Sequence, residues 1–373
     1  MRLRLLAAAA AALVFAAPAH AGAPAVSARA YLVVNPATGE VLAQKRAWTR
    51  VPIASITKLM TVIVTLDHAK WNDVVRVQRE AAQVGESTIN LRAGERITVG
   101  DLVKGALIQS ANDAADALAD YVGHGDEGAF VQMMNAKAAE LGLARTHFAR
   151  PDGLDARGHY STALDVTRLA EQAMRDPRIR AVVRQRTASI SGGRKLHTWN
   201  DLLGVFGGLY GVKTGHTSAA GWCEVAAVRR NGATLYTTVL GSPTRSQRNT
   251  DLASLLRWAV SRYRPAWMVQ PRHVYLRASV GYGKQAVPIV PVRGAVGAVR
   301  IDRPLVERVI APTALSLPVT RGQHVGEVWV YSGRRLVARR ALVVQRSVPR
   351  PGLGGRVGFY VSRTFHHIGD WFS

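Results

Sequence analysis

A serine and a lysine, Ser55 and Lys58, stand three residues apart in a mostly apolar stretch between Pro52 and Leu66. On a helix these two positions share a face, so the hydroxyl and the amine can approach each other. A serine becomes a good nucleophile when a base takes its proton, and a lysine in apolar surroundings favours its neutral, basic form. The pair predicts a nucleophile with its base; a lysine whose side chain simply extends to solvent is the alternative.

Two further stretches support the catalytic interpretation. Ser110-Ala-Asn112 stands where one helix-like segment meets the next, and Lys213-Thr-Gly215 ends a strand-like one. The order S-x-x-K, S-x-N, K-T-G is the motif set of penicillin-binding proteins and serine β-lactamases. The three stretches together predict acyl transfer through a serine.

The chain also resembles a narrower family, the low-molecular-mass penicillin-binding proteins that are serine D-Ala-D-Ala carboxypeptidases of the peptidase S11 type. The resemblance covers residues 30–264 and includes, besides the three motifs, Asn35-Pro-Ala-Thr-Gly-Glu-Val-Leu, Met134-Asn-Ala-Lys-Ala-Ala-Glu-Leu-Gly-Leu, Pro151-Asp-Gly-Leu, Gly158-His-Tyr-Ser-Thr-Ala, Asn200-Asp-Leu-Leu and Ala220-Gly-Trp-Cys. It implies removal of the terminal D-Ala from peptidoglycan pentapeptide stems. No metal or organic cofactor is implied, and the histidines show no zinc-ligand spacing.

The resemblance assigns the reaction steps to the first two motifs. Ser55 would form the acyl-enzyme, and Lys58 would be the general base that accepts its proton. Ser110 would relay protons towards the leaving amine, while Asn112 would position the substrate amide. The second motif is S-A-N where relatives often have S-G-N or S-D-N, but its middle side chain does not react.

The third motif would bind the substrate. Lys213 would supply positive charge near the substrate carboxylate, and Thr214 would hydrogen-bond that carboxylate. The backbone N–H groups of Ser55 and His216 would form the oxyanion hole, so the backbone at Gly215 matters as much as the side chains. Arg248 matches a basic position that helps to receive the terminal carboxylate; a solvated arginine is the alternative.

The sequence lacks a glutamate motif that class A β-lactamases have. No E-x-x-L-N occurs between Ser110 and Lys213, and residues 141–155 contain no glutamate. Class A β-lactamases use such a glutamate to hydrolyse the acyl-enzyme quickly. We therefore expect β-lactam antibiotics to trap this chain as covalent inhibitors. A DD-endopeptidase that cuts cross-links stays open, and a β-lactamase or a non-catalytic cell-wall scaffold is less favoured.

The order of elements predicts an α+β fold. Residues 55–66, 99–122, 126–141, 163–175 and 249–263 have helical character, and the β-branched runs at 208–212, 221–228 and 233–240 indicate neighbouring strands. With the resemblance, this predicts a penicillin-binding-protein/β-lactamase-like transpeptidase domain at 22–264, an antiparallel sheet flanked by helices plus a helical subdomain. Alternating runs predict an all-β domain at 265–348.

Both ends of the chain carry targeting or membrane signals. Residues 1–21 have the basic, apolar and A-x-A regions of a cleaved signal peptide, and an uncleaved membrane anchor is the alternative. Residues 349–373 form a basic, aromatic amphipathic tail that predicts membrane association, or else a helix that packs on the β domain. We therefore expect a periplasmic enzyme at the outer face of the inner membrane.

Charge and cysteine content limit the partners. The 373 residues carry a formal charge of +24, which in an exported chain favours anionic lipid headgroups and wall polymers over nucleic acid, although a solvated arginine-rich surface also explains it. The single cysteine, Cys223, excludes an intrachain disulfide and is expected to be a small buried apolar residue.

Overall fold

The computed structural model describes residues 22–282, 284–354 and 357. The predicted signal peptide at 1–21 and most of the predicted tail at 349–373 lie outside the described residues. Within the described ranges, no helix is both long and apolar enough to cross a membrane.

The described residues form strands that are, in chain order, β1 Ala30–Asn35, β2 Glu40–Lys45, β3 Val74–Arg76, β4 Arg96–Thr98, β5 Thr187–Ile190, β6 Arg194–His197, β7 Leu209–Thr217, β8 Gly221–Arg230, β9 Ala233–Ser242, β10 Tyr263–Val269, β11 Leu276–Ala278, β12 Val287–Pro291, β13 Ala295–Arg300, β14 Leu305–Ile310, β15 His324–Ser332 and β16 Arg335–Val344. The two small two-stranded sheets β3–β4 and β5–β6 were not predicted. Their strands of three or four residues are too short for a clear alternation of apolar and polar positions.

The helices are α1 Lys58–His68, α2 Arg79–Gln83, α3 Val99–Lys104, α4 Asn112–Val122, α5 Glu127–Glu140, α6 Ala163–Ala173, α7 Pro177–Val182 and α8 Arg245–Ser261. Short 3₁₀ helices occupy Ala54–Thr57 and Ser191–Gly193, and a π-helix turn occupies Gly105–Gln109. The segment 99–122, predicted as helical, is thus interrupted at Ser110, whose left-handed backbone (φ 63°) separates the π turn from α4.

The main sheet is antiparallel with the strand order β2-β1-β9-β8-β7. Its two faces are covered by different helices: α1 and α6 belong to one apolar core, while α8 belongs to the other. The central strands are buried on both faces, which explains their continuous apolar and β-branched runs. Strand β7, which carries Lys213-Thr-Gly215, is an edge strand.

A separate β region follows α8. Its five-stranded sheet has the order β11-β12-β16-β15-β14, and β10 pairs with β13. The helix predicted to reach Tyr263 ends at Ser261, because Pro265 cannot continue a helix and residues 263–269 pair with β13 instead. The third apolar core contains only residues between Val269 and Val348.

One set of polar contacts between the β region and the main sheet lies at the β1–β2 turn. The Glu40 carboxylate lies 2.7 Å from the Arg300 guanidinium and 2.9 Å from that of Arg303. Arg335 donates a hydrogen bond of 2.7 Å to the carbonyl of Ala37. These contacts all involve the β1–β2 turn, at the edge of the sheet opposite β7.

Candidate active site

The nucleophile candidate lies at the start of α1. Ser55 belongs to the 3₁₀ turn Ala54–Thr57, and Lys58 is the first residue of α1. Ala54 has a left-handed backbone with φ of 50°, which is unusual for a residue with a side chain. Non-glycine residues in that region often mark functional sites, where the surrounding structure holds them in place.

The Lys58 amine is fully buried and has three oxygen neighbours. It donates hydrogen bonds to Asn112 Oδ1 at 2.7 Å and to the carbonyl of Asp152 at 2.6 Å, and it lies 2.9 Å from Ser55 Oγ. A neutral amine has two N–H bonds and one lone pair. Since both carbonyl oxygens can only accept, they take the two N–H bonds and leave the lone pair for the Ser55 hydroxyl. This is the geometry of a general base.

Burial also sets the protonation state of this lysine. Desolvation lowers the pKa of Lys58 to about 8, and the carboxylates of Asp152 and Asp116 oppose that shift. An exposed lysine has a pKa of about 10.4, so burial brings the neutral amine into the physiological range. The apolar surroundings that the sequence indicated thus favour the neutral form of this lysine, which can accept a proton.

A second buried lysine lies beside Ser110. Lys213 donates hydrogen bonds to Ser110 Oγ at 2.7 Å and to the Thr214 carbonyl at 2.8 Å. Burial and the nearby Lys58 charge lower the pKa of Lys213 well below its usual value, and Glu224 opposes them. Asn112 Oδ1 accepts from Lys58, and Nδ2 donates to the Gly85 carbonyl at 2.9 Å. The expected contact of Asn112 with the substrate amide stays a prediction.

Strand β7 passes very close to the nucleophile turn. A Cβ atom added to Gly215 would lie 3.0 Å from the backbone nitrogen of Ser55 and 3.0 Å from Ala54 Cβ. Only glycine allows this approach without displacing the backbone, and the close approach brings the Ser55 and His216 segments together. The His216 ring is exposed and stacks on Trp222 with 4.1 Å between centroids.

Arg248 is buried, so the alternative of a solvated arginine is wrong. Its guanidinium lies 3.1 Å from the Glu224 carboxylate and 3.0 Å from that of Asp201. Glu224 faces Thr214 across the β7–β8 pairing, and burial raises its pKa to about 7, with Arg248 opposing the shift. Glu224 could not be identified from the sequence, because only the strand register places it beside Thr214 of the third motif.

The three motifs line one cavity of about 240 Å³ between β7 and the loop before β4. Its walls are formed by Ser55, Glu86, Ser87, Ser110, Asn112, Trp199, Thr214, Gly215, His216, Trp222 and Arg248. The Lys58 amine contacts Ser55, and the Lys213 amine contacts Ser110, and both serines line the cavity. All nine residues predicted for the site therefore surround or support this cavity.

A histidine that sequence reasoning left without a role supports the nucleophile turn. The Ala149 N–H donates to His159 Nδ1 at 3.1 Å, so the proton of the neutral ring is on Nε2, which donates to Thr57 Oγ1 at 2.8 Å. Thr57 in turn donates to the Ala54 carbonyl at 2.8 Å. His159 lies in the Gly158-His-Tyr-Ser segment, and Gly153 of Pro151-Asp-Gly-Leu packs on the same turn.

Comparison with known proteins identifies the family. A family model described as peptidase S11, D-alanyl-D-alanine carboxypeptidase, matches residues 17–244. The chain belongs to this family. A curated relative, the D-alanyl-D-alanine carboxypeptidase DacC of Escherichia coli K12, is 33% identical over 381 residues, with 96% of this chain and 94% of the relative covered.

Solved structures agree with the family assignment. Penicillin binding protein 5 of Haemophilus influenzae matches with a TM-score of 0.65 and 25% identity, over 88% of this chain and 100% of that chain. The DD-transpeptidase of Streptomyces K15 matches with a TM-score of 0.61 and 32% identity, over 65% of this chain and 100% of its own. The predicted family and the α+β penicillin-binding-protein fold are confirmed.

The basicity of Lys58 gives a first prediction. Below its pKa of about 8 the amine is protonated and cannot accept the Ser55 proton. We expect the second-order rate of acylation by a labelled penicillin to fall about tenfold for each pH unit below that pKa. The rate would be measured from pH 6 to 9, with circular dichroism at each pH to exclude unfolding. A flat profile over that range would contradict the assigned base.

The neutral His159 gives a second prediction. Burial lowers its pKa from 6.5 to about 4, so below pH 6.5 the unfolded chain binds a proton that the folded chain excludes. Folding stability should therefore fall as pH drops from 6.5 towards 4, by about 2 kcal/mol at pH 5 from this group. Urea unfolding at pH 7 and pH 5 should show this extra loss in wild type and not in His159→Gln. The exposed-histidine variant His68→Gln should keep it, and equal losses in all three proteins would refute the proposal.

Proposed function

We propose that Ser55 is the nucleophile with which this chain removes the terminal D-Ala from peptidoglycan pentapeptide stems. The chain is a serine-type D-Ala-D-Ala carboxypeptidase of the bacterial cell wall, as its family shows. One observation carries the assignment of the residue. The Lys58 nitrogen lies 2.9 Å from Ser55 Oγ, with its two N–H bonds directed to carbonyl oxygens and its lone pair left for the serine proton.

Acylation begins when Ser55 Oγ attacks the carbonyl carbon of the penultimate D-Ala. The serine proton moves to Lys58 Nζ, and the carbonyl oxygen becomes an oxyanion held by the backbone N–H groups of Ser55 and His216. Removing one such donor typically costs about 10²- to 10³-fold in rate. The close packing of Gly215 on the Ser55 turn supports this oxyanion site.

Collapse of the tetrahedral intermediate breaks the peptide bond. Ser110 relays to the leaving D-Ala amine the proton that Lys58 accepted from Ser55, and its 2.7 Å hydrogen bond from Lys213 keeps its oxygen in place. Water then attacks the ester carbonyl and gives a proton to the neutral Lys58 amine, which returns it to Ser55 Oγ as the shortened stem leaves with a free carboxyl group. A β-lactam would also form an ester with Ser55, and with no class-A-type glutamate motif in the sequence we expect its hydrolysis to be slow.

The terminal carboxylate of the stem would bind beside β7. Thr214 would donate to it, and Lys213 and Arg248 would supply positive potential. Glu224 and Asp201 already offset much of the Arg248 charge, so Arg248 would act mainly through the orientation of its remaining N–H groups. Bidentate recognition by arginine depends on this fixed geometry.

The remaining regions would place the enzyme at its substrate. We divide the chain into a signal peptide at 1–21, a catalytic domain at 22–264, a β domain at 265–348 and a membrane-associating tail at 349–373. The β region contacts the sheet edge opposite β7, which leaves the cavity accessible. It would act as a pedestal between the catalytic domain and the outer face of the inner membrane, in the periplasm.

A labelling experiment tests the nucleophile. Wild type should become covalently labelled by a fluorescent penicillin and release free D-Ala from a pentapeptide stem, while Ser55→Ala should do neither. A matched control is Ser218→Ala, which removes an exposed hydroxyl that does not line the cavity. Label that survives Ser55→Ala would overturn the assignment. Cross-linked dimers assayed in parallel would measure any endopeptidase activity.

Deletion of residues 350–373 tests the tail. We expect the shortened protein to move from the membrane fraction to the soluble periplasmic fraction, because the aromatic and basic side chains of the tail would no longer reach the bilayer interface. Its rate of penicillin labelling should stay unchanged. Mass spectrometry would establish that the mature chain begins near Gly22, and membrane retention of such a shortened chain would disprove the anchor.

A further inference from the structure

Glu86 places an unengaged carboxylate in the wall of the active-site cavity. Its side chain is exposed, and no hydrogen bond or ion pair to another described residue involves it. The other charged residue among the cavity-lining residues, Arg248, is buried and paired with two carboxylates. Glu86 is therefore the negative charge in this wall that remains available to a ligand.

The backbone around Glu86 is held firmly by the segment that carries Asn112. Asn112 donates from Nδ2 to the Gly85 carbonyl at 2.9 Å and from its backbone N–H to the Ser87 carbonyl at 2.7 Å. Ser87 Oγ donates to the Gln109 carbonyl at 2.9 Å. Glu86 itself has a left-handed backbone with φ of 64°. These contacts fix the backbone from which the carboxylate extends, so the loop itself need not be ordered on binding.

The negative charge of Glu86 disfavours the neutral form of Lys58, the proposed catalytic base. Its carboxylate raises the pKa of Lys58, while the proposed mechanism needs the neutral amine. Strained backbone and an unfavourable charge are commonly retained where they serve a function. A carboxylate in this position is suited to bind a cation. Lys58 lies within electrostatic reach of it, but the Lys58 amine is directed to Ser55, Asn112 and Asp152.

The proposed function, on which this inference rests, indicates which cation that is. The cavity lies between edge strand β7 and the Glu86 loop, so an extended stem peptide that pairs along β7 would turn alternate side chains towards opposite walls. With Ser55 at the carbonyl of the penultimate D-Ala, the residue before it is the nearest one with a long side chain. We propose that Glu86 is a specificity-determining subsite that binds a side-chain ammonium at this third position of the stem.

Two synthetic pentapeptide stems test the subsite. They differ only at the third residue, which is lysine with a free amine in one and Nε-acetyl-lysine in the other. Wild type should cleave the free-amine stem with about threefold to fivefold higher kcat/KM, mainly through KM, as expected for a partly exposed ion pair. Glu86→Gln should remove this preference, and Glu86→Lys should reverse it.

A matched variant and the remaining outcomes complete the test. Glu80→Gln removes an exposed glutamate outside the cavity and should keep the wild-type preference. Equal cleavage of both stems by wild type, or a preference that persists in Glu86→Gln, would overturn the subsite. An equal fall in kcat on both stems in Glu86→Gln would instead assign Glu86 to the hydrolytic steps and would also overturn it.

Failure of the proposed function gives a different result. Wild type would then release no D-Ala from either stem, whatever residue 86 is. In that case the two stems would be compared as competitors of penicillin labelling, which measures binding without turnover. Stronger competition by the free-amine stem, lost in Glu86→Gln, would still support the subsite, and equal competition would reject it.

Discussion

The burial of the Lys58 amine is the constraint around which this site is organised. Moving a charged ammonium out of water is costly, so a buried lysine either becomes neutral or gains partners that stabilise the charge. Lys58 combines a lowered pKa with hydrogen bonds to two carbonyl oxygens, and both effects leave its lone pair to Ser55. Because the acceptors come from Asn112 and Asp152, two distant segments must pack closely on the start of α1.

Close backbone packing follows from that requirement. Gly153 and Gly215 approach the Ser55 turn from two sides, and a Cβ atom on either would collide with it. Ser110 and Ala54 adopt left-handed backbone conformations that side chains disfavour. His159 connects the same turn to the Ala149 loop through Thr57. The large apolar core that contains α1 and α6 supplies the stability that offsets this local strain.

The charges around the cavity are matched locally, although the chain carries a formal charge of +24. Arg248 is balanced by Glu224 and Asp201, and Lys213 is held by a hydroxyl and a carbonyl oxygen without a carboxylate. Replacing one partner of such a buried pair leaves the other charge uncompensated, so these residues depend on each other. Glu86 is the exception, since its carboxylate faces the cavity without a partner in the described chain.

The sequence by itself determined the reacting groups, because Ser55 and Lys58 are joined by one helical turn and that spacing is local. It also indicated the longer strands and helices of the catalytic region, without β3–β6, α2 and α7, and the motifs indicated the family. Only the tertiary structure decided the partners of Lys58, which are 54 and 94 residues away, and the pairing of Lys213 with Ser110, 103 residues apart. Their distances depend on strand register and on the approach of Gly215. Only the tertiary structure, likewise, shows that Arg248 is buried against Glu224 and that His159 supports the nucleophile turn. Long-range packing of this kind leaves no periodic pattern in the sequence.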